Sequence, residues 1–566
     1  MPIDNGSRPP SPEASAGLAE ARSARIAREG GRDRRRRILI PLGLAAIYVV
    51  QCLWFVGTQS LTYDEPTHLA TGLDAWRYGR YERWNDQPPL ARLLLSMPLV
   101  GGGWSVEPLA QPLPGAFWTF AIRPSADALA WRTRPVNVAL GVALAALLWA
   151  SARRMFSEGG ANVALALFAF SPPLIAHFSV AAVDGASTLL LFATAIMLLG
   201  WRRRPSWPAT IAIGVVLGAF LIAKFSAPPM VLLTLAIMAG GGSIGLPLLD
   251  RLARALAAFA IALAIVWGAY QFHVGPLSLR SGSLTGPYAP PSAIVLPTSR
   301  PVDVRVTAPA PEYLAGLGLV AQHTARGQPS ILLGRVRKTG GWRAYYPVVA
   351  VVKWPIVVWL IAIAVLVLIA IGAIAAPADS FVVMAFPIVY FALAIVSNLD
   401  IGDRYILPVY PFLLLLCAGI WRGAAPRRWA AVAIGAAVAL HAIDAMRYAP
   451  DYLSYFNAFV RSDRPYEILS DSNLDWGQGL IAMRQYERAH PGERTWLAYF
   501  GGVDPREYGV RAQPFGERDH PSGTVVISAT HLSGQYLADP EAFRWVWQYP
   551  LKTILNHTLY VFDVRQ

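Results

Sequence analysis

The chain is short of charge, of lysine and of cysteine, and each shortage excludes something. Charged residues make up 15% of its 566 residues against 55% hydrophobic, and the mean hydropathy is +0.40. A water-soluble chain carries nearer a quarter charged residues, so a soluble enzyme, a disordered protein and a collagen are all excluded. The two cysteines, Cys52 and Cys417, lie inside apolar runs with no CxxC and no metal-ligand spacing. They read as small core residues, not as a disulfide framework. No P-loop or dinucleotide-binding loop is present, which leaves nucleotide-driven transport without support. No internal repeat is visible.

Lysine occurs only at Lys224, Lys338, Lys353 and Lys552, so the 49 basic residues are almost all arginine, and against 35 acids they leave a net charge of +14. Excess positive charge ordinarily raises nucleic acid as a partner. Here the arginines gather at the N-terminus and in short connections between apolar runs, which is the pattern of membrane topology. No nucleic-acid partner is expected.

Runs long enough to span a bilayer begin near Ile38, Val136, Ala161, Val183, Ala209, Ala227, Arg254, Tyr346, Ser380, Tyr405 and Trp429, about eleven in all. Pro355 is expected to kink or split the long run after Tyr346. Several runs are rich in Ala and Gly, which suits close helix packing in lipid. With the arginine-rich segment before Ile38 in the cytoplasm, the connections bearing Arg153 and Arg154, Arg202 to Arg204, Arg251 and Arg254, and Arg422, Arg427 and Arg428 fall on the same side. The connection at Asp379 is neutral, and the short opposite connections hold only Lys224 and Arg404. The first run reads as an uncleaved anchor, since no small-residue cleavage site follows it.

The expected fold class is therefore an all-α polytopic membrane protein with about eleven transmembrane helices and a small C-terminal extracytoplasmic α/β domain. Residues 1–37 form a basic cytoplasmic tail of disordered composition. Residues 38–447 form the membrane domain, with outside loops 58–134 and 271–343, and residues 448–566 form the extracytoplasmic domain. In the last, Thr495–Phe500, Thr524–Ser528 and Leu559–Asp563 have strand character and Gln478–Ala489 looks helical. The Pro-, Gly- and Ser-rich stretch up to Pro311 is expected to be irregular and mobile.

Chemistry is sought in the polar residues beside the spans. Leu61-Thr62-Tyr63-Asp64-Glu65-Pro66-Thr67-His68 follows the first run, so Asp64 sits near the membrane surface. Pro66 suits a first helical turn, acids are favoured there, and Asp64 and His68 share a face. The segment reads either as a capped juxtamembrane helix or as a site with Asp64 as general base. Asn85-Asp86-Gln87-Pro88-Pro89 precedes a Leu-rich interfacial helix, and Asp86 is either a second acid or a turn residue. Asp184 is flanked by long apolar runs, a costly position that suggests function, an N-cap, or both. Lys224 and Lys353 either snorkel or hold a lipid phosphate. Asp400, Asp403 and Arg404 share a very short hairpin and must pair locally or face a cavity. Arg132 and Arg134 enter the second run from outside, against the charge rule.

These residues belong to different spans, yet topology puts them on one face. Acids and cations converging at a membrane surface suit chemistry on an anionic lipid headgroup. The cations would stabilise a phosphate leaving group while an acid deprotonates a hydroxyl. In the tail, Asp471–Gln478 resembles the start of a calcium loop but has Trp476 at the sixth position and Ala482 at the twelfth, so helix capping is expected there, with a donor or acceptor contact as the rival.

At these residues a family becomes recognisable. Tyr63-Asp64-Glu65 with His68, Gln87-Pro88-Pro89-Leu90, Asp184, Ala223-Lys224-Phe225-Ser226, Gly341-Trp342 to Lys353, and Gly402-Asp403-Arg404-Tyr405 to Pro411 resemble the GT-C membrane glycosyltransferases. Within them the pattern looks most like bacterial relatives of dolichyl-phosphate-mannose–protein mannosyltransferases and lipid A aminoarabinose transferases. The tail pieces Asp471–Gln478, Tyr499-Phe500-Gly501 and Asp504-Pro505 also look like those of one bacterial branch. One departure is Gln87, where relatives often carry His.

The resemblance implies a polyprenyl-phosphate-linked sugar as donor, with a glycan, lipid or protein as acceptor. Asp64 would be the catalytic base, with Glu65 and Asp184 supporting it. The substrate-binding set would be His68, Asp86, Arg134, Lys224, Lys353, Arg404 and Tyr405, of which Lys224, Arg404 and Arg134 would hold the phosphate. Displacement by the acceptor hydroxyl would invert the anomeric centre. No cofactor is implied, and a divalent metal is left open but not favoured. The expected location is the bacterial inner membrane, with the N-terminus cytoplasmic and the C-terminus outside. The rival readings are a ligase or polymerase of lipid-linked glycans and a transporter or flippase.

Overall fold

The computed structural model describes residues 38–81, 85–112, 118–240, 245–281, 293–296, 302–422, 428–460 and 463–565. The expected cytoplasmic tail, 1–37, lies outside them. Every apolar run expected to span is helical. Among the described residues, six helices are long and apolar enough to cross a membrane: Ile38–Thr58, Ala126–Met155, Asp184–Arg203, Leu248–Ala269, Asp403–Trp421 and Arg428–Met446. Two helix pairs pass the same test of length and apolarity only when taken together across a bend, Glu158–Ala169 with Pro172–Phe178 at 62° and Tyr345–Lys353 with Ile356–Ala370 at 104°. Proline explains both breaks: Pro172 and Pro173 open one second half, and Pro355 stands at the other, as its missing N–H and ring clash require. The remaining runs form shorter apolar helices, Trp207–Leu221, Pro228–Gly240 and Ser380–Val396. The chain is a multi-pass membrane protein.

Small residues set the closest approach in this bundle. Gly214 and Gly218 lie on the helix Trp207–Leu221 where it packs on Leu248–Ala269. A Cβ at Gly214 would meet the Ala258 carbonyl oxygen at 2.8 Å, and one at Gly218 would meet the Ile265 Cβ at 2.7 Å. Two of the connections expected on the cytoplasmic side meet. Arg203 reaches Asp379 at 3.9 Å and donates to the Ala378 carbonyl at 2.9 Å, so the neutral connection joins an arginine-rich one.

The motif helix Glu65–Tyr78 is followed by Pro89–Ser96. Gly72 lets the two touch, because a Cβ there would run into Ser96 and the Arg92 carbonyl. The stretch before Pro311 differs from expectation. Val274–Ser281 pairs parallel with Ala293–Leu296 and antiparallel with Asp303–Pro309, so its described residues form a three-stranded sheet. Backbone pairing there outweighs a composition that reads as loop.

The tail forms a five-stranded mixed sheet. From edge to edge it runs Leu551–Leu555, Leu559–Val564, Gly523–Ser528, Thr495–Ala498 and Gln513–Pro514. The first two pairings are antiparallel and the last two parallel. The three expected strands and the expected helix, observed as Leu480–Ala489, are all present. The tail does not stand apart from the rest. Leu480, Met483, Leu497, Val526 and Val561 share one buried core with Leu61, Leu69, Trp104 and Phe120 of the first outer segment. Backbone bonds seal the contact, Ser60 N to Gln478 O at 3.0 Å and Tyr63 N to Trp476 O at 2.8 Å.

Candidate active site at one end of the helix bundle

Asp64 occupies the N-cap of the motif helix but makes no side-chain cap bond. Its carboxylate turns to Arg404 instead, accepting from Nη1 at 2.5 Å, with the Asp64 side chain 30% exposed and that of Arg404 14%. Arg404 is the second residue of the helix Asp403–Trp421, which begins directly after Gly402, whose φ of +85° suits glycine. Its Nε donates to the Ile401 carbonyl at 3.1 Å, and the guanidinium lies 4.3 Å from the centre of the Trp476 ring. One planar group thus serves a carboxylate, a carbonyl and an aromatic face, which a lysine would not.

A second acid–cation pair lies beside the first. Asp184 begins the helix Asp184–Arg203, and its Oδ1 accepts from Lys224 Nζ at 2.5 Å, both side chains being buried. Among the described residues Asp184 Oδ2 has no hydrogen-bond partner. The Lys224 ammonium also sits 5.4 Å from the centre of the Tyr405 ring, which stacks on Tyr346. The charge of Arg404 acts on Asp64, Asp184 and Asp471 together, so the two pairs form one electrostatic cluster.

The three ionisable groups of the very short hairpin do not pair with one another. Asp403 bonds His177 at 2.8 Å, Arg404 goes to Asp64, and Asp400 accepts from Trp342 N at 2.9 Å and Ser330 Oγ at 3.1 Å. Burial pushes the Asp400 carboxyl up to about 6.

Other expected residues have different posts. Arg134 is fully buried, with Nε and Nη2 on Glu65 at 2.9 and 2.8 Å and further bonds to the Gln59 and Ser60 carbonyls. These hydrogen bonds of Arg134, expected among the phosphate ligands, all go to the first outer segment. Glu65 also accepts from the amides of Ala181 and Thr62. Burial alone would raise the Glu65 carboxyl, but the Arg134 charge and these amides outweigh it and hold the group below the usual range. Glu65 thereby ties the turn that carries Asp64 to Arg134 and to the Ala181 amide. Lys353, expected among the substrate-binding residues, is buried with its ammonium on the Leu453 and Asn473 carbonyls at 3.0 and 2.5 Å.

Asp86 forms an ion pair with Arg92 at 2.7 Å, and Arg92 Nε approaches His68 Nδ1 at 3.4 Å. Burial first, and Arg92 next, push the His68 imidazole down to about 3, which keeps it neutral.

The tail supplies what sequence reasoning missed. Capping is not what Asp471–Gln478 does, since the next helix has Gly479 at its N-cap without a side-chain bond. Asn473 Oδ1 accepts from the Asp403 amide at 3.1 Å, and Ser472 Oγ donates to the Ile401 carbonyl at 2.7 Å. Asp471 lies in the field of Arg404 and Asp64; burial raises its carboxyl, and the Tyr536 hydroxyl donates to it at 2.7 Å. Asp475 ties the loop to the sheet through Ser528 Oγ at 2.5 Å and the Thr530 amide at 3.0 Å, and burial pushes it up to about 6. The density of Asp, Ser and Asn in one short loop was the available signal. Among the described residues, no three His, Cys, Asp or Glu side chains gather so as to hold a metal ion.

No family model matches the chain, and no curated protein matches it. Solved structures to which it is similar include ArnT from Cupriavidus metallidurans bound to undecaprenyl phosphate, at 14% identity, 93% of this chain, 98% of that chain and a TM-score of 0.47. The archaeal oligosaccharyltransferase AglB from Archaeoglobus fulgidus, with an inhibitory peptide and a dolichol-phosphate, shares 10% identity over 94% of this chain and 75% of that one, with a TM-score of 0.43. The S. cerevisiae Pmt1-Pmt2 protein O-mannosyltransferase complex bound to its sugar donor shares 17% identity over 42% of this chain and 33% of that one, with a TM-score of 0.31. All three are GT-C fold members, the group that the sequence motifs resemble.

Proposed function

We propose that the chain is a glycosyltransferase that moves a sugar from a polyprenyl-phosphate-linked donor to an acceptor hydroxyl at the outer face of the membrane. The observation that carries this reading is the Asp64–Arg404 contact at 2.5 Å beside the Asp184–Lys224 pair. It unites a partly exposed carboxylate with two cations at one end of the bundle.

The acceptor oxygen attacks the anomeric carbon as the bond from that carbon to the phosphate oxygen breaks. Asp64 takes the hydroxyl proton, and the polyprenyl phosphate leaves with the electron pair. Arg404 and Lys224 meet the charge that develops on it. A donor phosphate competes with Asp64 for Arg404, so donor binding frees the base for the acceptor. Single displacement inverts the anomeric centre. The step calls on Arg404 and Lys224 as its cations and on no metal.

By the positive-inside pattern the site opens outside, on a bacterial inner membrane, with the N-terminus cytoplasmic and residues 448–566 outside as an α/β portion. The sugar is a hexosyl or pentosyl unit, and the acceptor is a glycan, lipid or protein. Transport is disfavoured because the acids sit at helix ends rather than at the midplane. The test is to incubate the purified protein with a panel of polyprenyl-phosphate sugars and score which are consumed. The reading requires at least one to be consumed by the natural chain and none by Asp64→Asn.

A further inference from the structure

The tail holds a cavity of about 400 Å³ that the transfer step does not use. Phe515 and Phe543 wall it, their rings meeting edge-on with centroids 5.7 Å apart, and Glu517, Arg518 and Asp519 form its rim. His531 lines it, 3% exposed, and among the described residues neither ring nitrogen has a hydrogen-bond partner. Buried polar atoms are costly when unsatisfied, and such a group asks for a partner. Burial pushes the imidazole down to about 4, so the ring is neutral; the Ala498 carbonyl favours the charged form but is not placed for a full hydrogen bond. A neutral imidazole offers one donor and one acceptor, and a ligand hydroxyl both accepts and donates.

The remaining chemistry narrows the ligand. Aromatic walls suit an apolar face. The rim mixes one guanidinium with two carboxylates, and both carboxylates are already engaged, Asp519 by the Gly516 amide at 2.8 Å and Glu517 by the Ala538 amide at 3.1 Å. That rim selects neither a strong anion nor a strong cation. A pyranose ring, with C–H faces and many hydroxyls, fits each requirement.

Two ring contacts link the cavity to the turn that carries Asp64. The His531 ring meets Phe500 edge-on at 6.1 Å, and Phe500 stacks at 5.2 Å on Tyr63, the residue before Asp64. We infer that this cavity is a pyranoside-binding subsite holding one sugar unit of the acceptor. The inference rests on the glycosyl-transfer reading for the word acceptor, and on the cavity itself for the word pyranoside.

The test is saturation-transfer NMR on the detergent-purified full chain with the methyl glycosides of glucose, galactose, mannose and N-acetylglucosamine. At least one glycoside should bind, with binding weakened at least fivefold by His531→Leu and by Phe543→Ala, and largely kept by His531→Asn. Arg518→Ala, at an exposed position, covers the case in which the buried variants fail to fold, and should weaken binding severalfold. Absence of binding by the natural chain, or equal binding by the folded variants, overturns the subsite. Asp64→Asn should still bind the glycoside while failing to consume donor. If the natural chain binds glycoside but consumes no lipid-linked sugar, the pyranoside site stands and the transferase reading falls.

Discussion

The Asp64 carboxylate and the Arg404 guanidinium meet at 2.5 Å although 340 residues separate them in the chain. The contact joins the loop after the first span to the start of the helix Asp403–Trp421, with Trp476 of the tail lying on the guanidinium face. Three distant stretches of sequence therefore close one site.

Asp64→Asn keeps the size of the side chain and a hydrogen bond to Arg404 but removes the base. Transfer should fall by about 10²–10⁴-fold, the usual contribution of general base catalysis. Elution volume and melting temperature should stay close to those of the natural protein. Single-turnover assays with the donor panel measure this, and near-normal transfer would rule Asp64 out.

Arg404→Lys preserves charge and loses the planar fork. kcat/KM should drop about 10–100-fold, or roughly 1.4–2.7 kcal/mol of transition-state stabilisation. Steady-state kinetics with varied donor decide it. A lysine that works as well as arginine would show that a point charge is enough.

Glu65→Ala strands the Arg134 charge at a position where both side chains are fully buried. The expected cost is about 3–5 kcal/mol, because a buried ion loses its partner. The double variant Glu65→Leu with Arg134→Met should recover much of it. Thermal melts of the purified variants give the answer, and a Glu65→Ala protein as stable as the natural one would contradict the buried pair.

His68 makes stability depend on pH. Its imidazole is held at about 3 when folded, facing Arg92, Asp86, Asp184 and Arg404, and near its ordinary value when unfolded. Below about pH 6.5 the unfolded chain binds the extra proton, so stability is lost as pH falls. Between pH 6.5 and 5 this group contributes about 2 kcal/mol of that loss. The slope should flatten by this amount in His68→Gln, read as the difference between melts of the two proteins across that window. Parallel slopes would show that His68 titrates alike in both states.

Gly502 lies against the motif turn, and a Cβ there would run into the Tyr63 carbonyl. Gly502→Ala should push the tail off the Asp64 turn and lower transfer by at least tenfold, with membrane insertion unchanged. Activity per milligram of correctly inserted protein checks this. Full activity would mean that the tail does not position the base.

The sequence carried the membrane class and the helical runs, and it singled out Asp64, Lys224 and Arg404 as candidates, because each is a local signal. A long apolar run must be a helix in lipid, since backbone groups there have no other partner. An acid or cation beside such a run is too costly to be incidental. The break at Pro355 was legible for the same reason, because proline acts through its own residue.

Partner choice was not legible. Glu65 and Asp64 are adjacent and alike in type, yet one is sealed on Arg134 and the other faces Arg404. Lys353 and Lys224 both flank apolar runs, yet one ends on backbone carbonyls and the other on Asp184. Ionic attraction is strong enough to fix a pair but carries no address along the chain. Helix rotation, the glycine-lined crossings and the docking of the tail decide which charges come within reach. Sequence alone placed the ionisable groups at one end of the bundle; tertiary packing decided which of them close the structure and which face one another across a site.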